Sequence, residues 1–155
     1  MKLRIVSVGA DRSGLFEPAV EEYARRIRRY APIDLVEVKP SRKGGIDPLR
    51  AREEEGQALL ARVDPRTLVV AMDERGELLD SVAFSRKVVQ EAMSTGRDLA
   101  FLIGGAEGLA DAVRARADRV LSLSPMTLAH RLARLVLAEQ IYRAFTIARG
   151  EPYHR

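Results

Sequence analysis

Leu99-Ala-Phe-Leu-Ile-Gly-Gly-Ala-Glu-Gly-Leu109 is an apolar run of strand length that breaks into a glycine-rich turn and leads into a helical pattern. In an open α/β sheet such a turn stands at the carboxyl end of a strand, where ligands bind. Its glycines let the backbone approach a ligand closely or adopt positive φ. The spacing is neither a complete G-x-G-x-x-G nor a Walker loop, so dinucleotide or triphosphate binding is not indicated. From spacing alone, a tight βα turn and a ligand site are equally good readings.

The same alternation extends in both directions. Leu3 to Val8, Leu35 to Val38, Leu68 to Met72, Leu99 to Ile103 and Val120 to Leu123 read as strands, several of them almost wholly apolar, as expected of strands covered on both faces. Helical patterns lie between them: one that opens at Pro18 and ends at Pro32, then Leu49 to Arg62, Val82 to Thr95, Leu109 to Ala117 and Leu128 to Ala148. Strand and helix in turn predict an α/β fold with a mainly parallel sheet and helices on both faces. At 155 residues the chain fits a single domain over 1–155, large enough to fold on an ordinary core.

Composition narrows the chemistry. There is no cysteine, which suits a reducing cytoplasm, and the only two histidines, His130 and His154, are far apart, so no metal site is expected. The net charge of +4 and pI near 9.7 make nucleic acid a plausible partner without demanding one. No apolar stretch has the length of a signal peptide or a membrane span, so a soluble, cytoplasmic protein is expected.

Two basic segments stand out. Arg25-Arg-Ile-Arg-Arg29 places four guanidinium groups within about a turn and a half of helix. Lys39-Pro-Ser-Arg-Lys-Gly-Gly-Ile-Asp-Pro48 reads as a mobile basic loop, either a solvated connection or a phosphate-contacting arm. Gly9-Ala-Asp-Arg-Ser-Gly14 has phosphate-loop glycine spacing, but Leu15 and Phe16 stand where lysine and a hydroxyl are needed, so it reads as a turn.

The C-terminal third carries the remaining signals. Thr127 is placed to cap the last helix, and Ser122 and Ser124 flank the end of the fifth strand. That helix is apolar on two stripes, Leu128, Leu132, Leu135 and Tyr142 on one, Ala133, Leu137, Ile141, Ala144 and Ala148 on the other. One stripe can serve the core; the other predicts a homodimer. Glu139 and Arg143 form an i, i+4 pair, read equally well as helix-stabilising or functional. A terminus made of Glu151-Pro-Tyr-His-Arg155 reads as working chemistry, since chain ends are usually frayed and bland.

Taken in order, Met1-Lys-Leu-Arg-Ile5, Glu22-Tyr-Ala-Arg-Arg26, Leu102-Ile-Gly-Gly-Ala-Glu-Gly-Leu109, Leu121-Ser-Leu-Ser-Pro-Met-Thr-Leu128, Glu139-Gln-Ile-Tyr-Arg-Ala-Phe145 and the terminal motif resemble the bacterial 23S rRNA pseudouridine N3-methyltransferases, minimal SPOUT enzymes. The resemblance spans essentially the whole chain. It implies a C-terminal trefoil knot that holds S-adenosylmethionine, a homodimer with its active site at the interface, and a pseudouridine of 23S rRNA within the ribosome as target. Carried over by position, Met72, Asp73, Gly104, Gly105 and the loop of Leu123, Ser124, Pro125, Met126, Thr127, Leu128 and Ala129 would hold the donor. His130, Arg143, Tyr153, His154 and Arg155 would serve substrate and catalysis. Ala129 stands where the family usually has proline, and Arg131 where a neutral residue is usual. Two other classes give distinct expectations: a non-catalytic RNA-binding module with no affinity for the donor, and a nucleotide-processing α/β enzyme active without RNA.

Overall fold

A computed structural model describes residues 1–155. Five strands, β1 (Leu3–Val8), β2 (Ile33–Val38), β3 (Leu68–Leu78), β4 (Leu99–Ile103) and β5 (Arg119–Ser122), form one sheet in the order β2-β1-β4-β3-β5. Every pairing is parallel. The helices are α1 (Glu17–Ile27), α2 (Pro48–Leu60), α3 (Ser81–Phe84), α4 (Gln90–Thr95), α5 (Asp111–Arg116) and α6 (His130–Ala148).

Period-two alternation along the strands divides the core between the two faces. Leu3, Ile5, Val70, Leu99, Phe101 and Ile103 point to one face and pack with Ala24 and Ile27 of α1, Ala92 of α4, and Leu137, Ile141 and Phe145 of α6. Val6, Val8, Val69, Ala71 and Leu102 point the other way and meet Leu59 of α2 and Val113 of α5. The apolar strands are therefore covered on both sides, as their composition predicts.

The differences from the sequence reading are local. β3 runs six residues beyond Met72, because β5 pairs with it twice: Leu121 lies opposite both Met72 and Glu77, and Asp73 to Gly76 bulge out between. That charged stretch looks like a loop in sequence, yet Arg119 reaches Glu77 at 3.1 Å across the strands. The helix expected from Val82 to Thr95 is interrupted by a π-turn at Ser85–Val89, where the buried Ser85 hydroxyl donates to the Ala144 carbonyl at 2.7 Å. α6 begins at His130 rather than Leu128, with Ala129 as its N-cap and no side-chain cap. Thr127 therefore does not cap it; its hydroxyl donates to Glu74 instead, at 2.5 Å.

The basic loop is anchored rather than free. The Ser41 amide donates to Glu55 at 2.8 Å, the Ser41 hydroxyl to Glu54 at 2.7 Å, and the Gly45 amide to Glu107 at 3.3 Å. In α1, Arg25 and Arg26 both grip Glu22, and Arg28 lies 3.5 Å from Glu21, so much of that basic run is neutralised within its own helix. Gly9 to Gly14 is a turn, as read: Asp11 accepts from the amides of Phe16 and Glu17 and so anchors the start of α1.

Candidate active site

The carboxyl ends of β3, β4 and β5 open into a cleft of about 600 Å³, within the size range of small-molecule sites. Its walls are the bulge within β3 and the segments that follow β4 and β5. Met72, Asp73, Glu74 and Arg75 come from β3; Gly104 to Leu109 from the turn after β4; Leu123, Ser124, Met126, Thr127, Leu128 and Ala129 from the segment after β5. Of the residues expected there, all but Pro125 line it. His130 at the start of α6 lines it too.

The walls are tight main chain. A Cβ at Gly104 would stand 2.9 Å from the Gly108 carbonyl group, and one at Gly105 would stand 3.0 Å from the Val8 side chain. Gly108 closes the turn with a φ of +82°, and Gly105 and Gly108 form a bridge. In the third wall the Ser122 hydroxyl bonds the Ser124 carbonyl at 2.8 Å, and Ser124 Oγ accepts from the Met126 amide at 2.9 Å, so both serines shape the loop itself.

Two residues near the cleft are electrostatically set. Burial alone would raise the Asp73 carboxyl, but the Arg75 amide and the Arg114 guanidinium outweigh it and hold it below the usual carboxylate value. Arg114 donates twice to Asp73, at 2.5 and 2.8 Å, and also to the Leu109 carbonyl at 2.8 Å, tying the first wall to the second. Partial burial, helped by the neighbouring Arg131 charge, pushes His130 below its ordinary 6.5, so its imidazole is neutral at pH 7 and able to accept a proton.

The remaining candidates form a second cluster. Glu139 is its hub: Arg143 Nη2 donates to Glu139 Oε1 at 2.5 Å, and the Tyr153 hydroxyl donates to the same oxygen at 2.9 Å. Arg143 Nη1 lies 3.3 Å from His154 Nδ1, and its guanidinium stands 4.8 Å over the Tyr153 ring. Tyr153 also meets Tyr142 edge-on at 4.6 Å, and the Tyr30 hydroxyl bonds Glu151 at 2.5 Å, so the tail is folded back on α1 and α6. Burial, with hydrogen bonds to Tyr23 and Glu139, raises the Tyr153 hydroxyl above its usual range, so it stays protonated. Arg155 is exposed at the end of the chain.

The candidate catalytic set is thus divided. His130 belongs to the cleft, whereas Arg143 sits thirteen residues further along α6, about 20 Å away at 1.5 Å per residue, with Tyr153 and His154 folded back beside it. Four residues near these sites escaped the sequence reading as site members. Glu74, Arg52 and Arg114 lie in charged stretches with no distinguishing spacing, and Glu139 was visible only as half of an ion pair.

Comparison with known proteins adds a family. A family described as "Predicted SPOUT methyltransferase" matches residues 1–154. Proteins named Ribosomal RNA large subunit methyltransferase H are similar over the full length of both chains: one from Anaeromyxobacter dehalogenans strain 2CP-C is 58% identical over 155 residues, and one from Anaeromyxobacter sp. strain Fw109-5 is 57% identical. One from Gemmatimonas aurantiaca is 46% identical over 157 aligned positions.

Proposed function

This chain belongs to the SPOUT methyltransferase family, and from that premise we propose that it methylates N3 of a pseudouridine in 23S rRNA with S-adenosylmethionine as donor. The observation that carries the reading is the convergence of the β3 bulge and the segments after β4 and β5 on one cleft of suitable size. The residues fit the donor: glycine main chain at Gly104 and Gly105, apolar Met72, Leu123 and Leu128, and polar Asp73 and Thr127 surround it. When bound, S-adenosylmethionine supplies a methyl group already activated on a sulfonium. We also assign the chain to one domain, since both halves of the core share one sheet. The family's trefoil knot goes with this reading.

The protein's part in the reaction is alignment, proton removal and charge stabilisation. Pseudouridine N3 must lose its imide proton, and a neutral His130 beside the cleft is a suitable acceptor. Arg143 and Arg155 would offset negative charge on the base oxygens or hold phosphate, and the protonated Tyr153 would donate a hydrogen bond or stack, with His154 beside it. Because these groups lie about 20 Å along α6 from His130, the tail of one copy is best placed to serve the cleft of another. A homodimer through α6 is further supported by Leu132 on that helix, exposed at 36%. No helix is long and apolar enough to cross a membrane, and the reading places the work on cytoplasmic ribosomes.

The test is transfer of labelled methyl from S-adenosylmethionine to unmodified ribosomes, followed by mapping of the labelled nucleotide. Label on a pseudouridine of 23S rRNA is expected; no label together with no donor binding would sink the reading. Mixing a cleft variant with a tail variant, each inactive alone, should restore part of the activity if active sites are shared between copies.

A further inference from the structure

The charged groups of the cleft are unevenly matched. Three carboxylates and three guanidinium groups line it: Asp73, Glu74 and Glu107, and Arg52, Arg75 and Arg114. Arg75 and Arg114 both face Asp73, at 3.8 and 2.5 Å. Glu74 is met by the Thr127 hydroxyl and Glu107 by the Gly45 amide, neither by a cation. Arg52, on α2, has no carboxylate partner, and its Nε is shut off from solvent without a hydrogen-bond acceptor.

A buried N–H without an acceptor is costly, and Arg52 lines the cleft, where a guanidinium fork is shaped for a planar carboxylate. Arg52, the cleft guanidinium that no carboxylate meets, is the counterpart of a molecule that brings a carboxylate of its own. The methyl donor of the proposed reaction is such a molecule, with a carboxylate, an ammonium and a sulfonium. A phosphate on an RNA backbone would instead call for an arginine standing free at the rim. We infer that Arg52 binds the carboxylate of the donor's amino-acid end and is the specificity residue that separates it from nucleosides lacking that group.

The inference rests on the methyltransferase reading, and calorimetry can separate the two. The probes are S-adenosylmethionine and its decarboxylated analogue, titrated into the wild-type chain, Arg52→Gln and Arg52→Lys. The wild type should hold the intact donor about 10- to 100-fold more tightly than the analogue, the range of a charge-assisted hydrogen bond. Arg52→Gln should erase that preference by weakening the intact donor alone, and Arg52→Lys should restore part of it. A preference that survives in Arg52→Gln, or equal weakening of both compounds, would overturn the assignment, as would a wild type that binds both equally. A wild type that binds neither overturns the methyltransferase reading itself. Melting curves confirm that the variants are folded.

Discussion

The cleft and the tail cluster are built by opposite means. The cleft is largely main chain: a bulge in β3, a glycine turn folded on itself after β4, and a loop after β5 whose serines bond their own backbone. The tail is a set of side chains gathered on one carboxylate, Glu139. A site of main chain is damaged by added volume and tolerates polar substitutions; a site of side chains is damaged by loss of its hub. The two should therefore fail in different assays.

The largest effect is expected at Gly104. Its Cβ would meet the Gly108 backbone at 2.9 Å, which cannot swing aside as a side chain could. Gly104→Ala should abolish measurable donor binding and lower stability by about 1–3 kcal/mol, the usual cost of overpacking; calorimetry and urea unfolding read both. Near wild-type donor affinity would show that the turn is not a rigid wall.

Glu139→Gln should come next. It takes away the charge that holds Arg143 and leaves only a neutral amide oxygen as the shared acceptor, and misplacement of about 1 Å is worth roughly 10²-fold in rate. Methyl transfer should fall by roughly that factor while donor affinity is unchanged. A parallel loss of donor affinity would break the division between the two regions.

A smaller effect is expected from His130, which sharpens the comparison from the cleft side. Because its folded value lies below 6.5, the unfolded chain takes the proton first, so its contribution to stability is complete above that pH and is lost as pH falls through it. The melting temperature of the wild type should decline from pH 7 to pH 5 more steeply than that of His130→Gln. Identical profiles would contradict the assigned environment.

The smallest effect is at Ala129. Its φ of −55° already suits proline, the residue usual at this position in the family the sequence resembles. Ala129→Pro should stabilise by about 0.4–1 kcal/mol through the unfolded state, visible as a small rise in melting temperature with donor affinity held or improved.

The sheet was legible because its strands are short, apolar and bounded by glycine, proline or charge; Leu99 to Ile103 is read to the residue. The cleft was legible for the same reason, since it lies at strand ends that periodicity locates. What stayed hidden depends on pairing at a distance. The return of β3 at Glu77 needs β5 beside it, the π-turn needs the Ala144 carbonyl, and Thr127 chose Glu74 over the helix end. The basic loop looked mobile because its anchors, Glu54, Glu55 and Glu107, lie on other elements. The distance between His130 and the tail could be counted along the helix, but the folding back of Tyr153 onto Glu139 could not.

The position of β1 in the sheet has a consequence for synthesis. The first strand of the chain lies between β2 and β4, so one of its edges stays open until residues 99–103 have emerged, and α1 lacks its partner until α6 follows. The face covered by α2 and α5 can close once α5 has left the exit tunnel, but the opposite face waits for α6. Such non-local topology folds slowly, and a nascent chain with an open strand edge is a substrate for chaperones. A chain truncated before α6 would be without the helix that covers one face of its sheet, so capacity to bind a ligand in the cleft arrives all at once, with the last turns of the polypeptide.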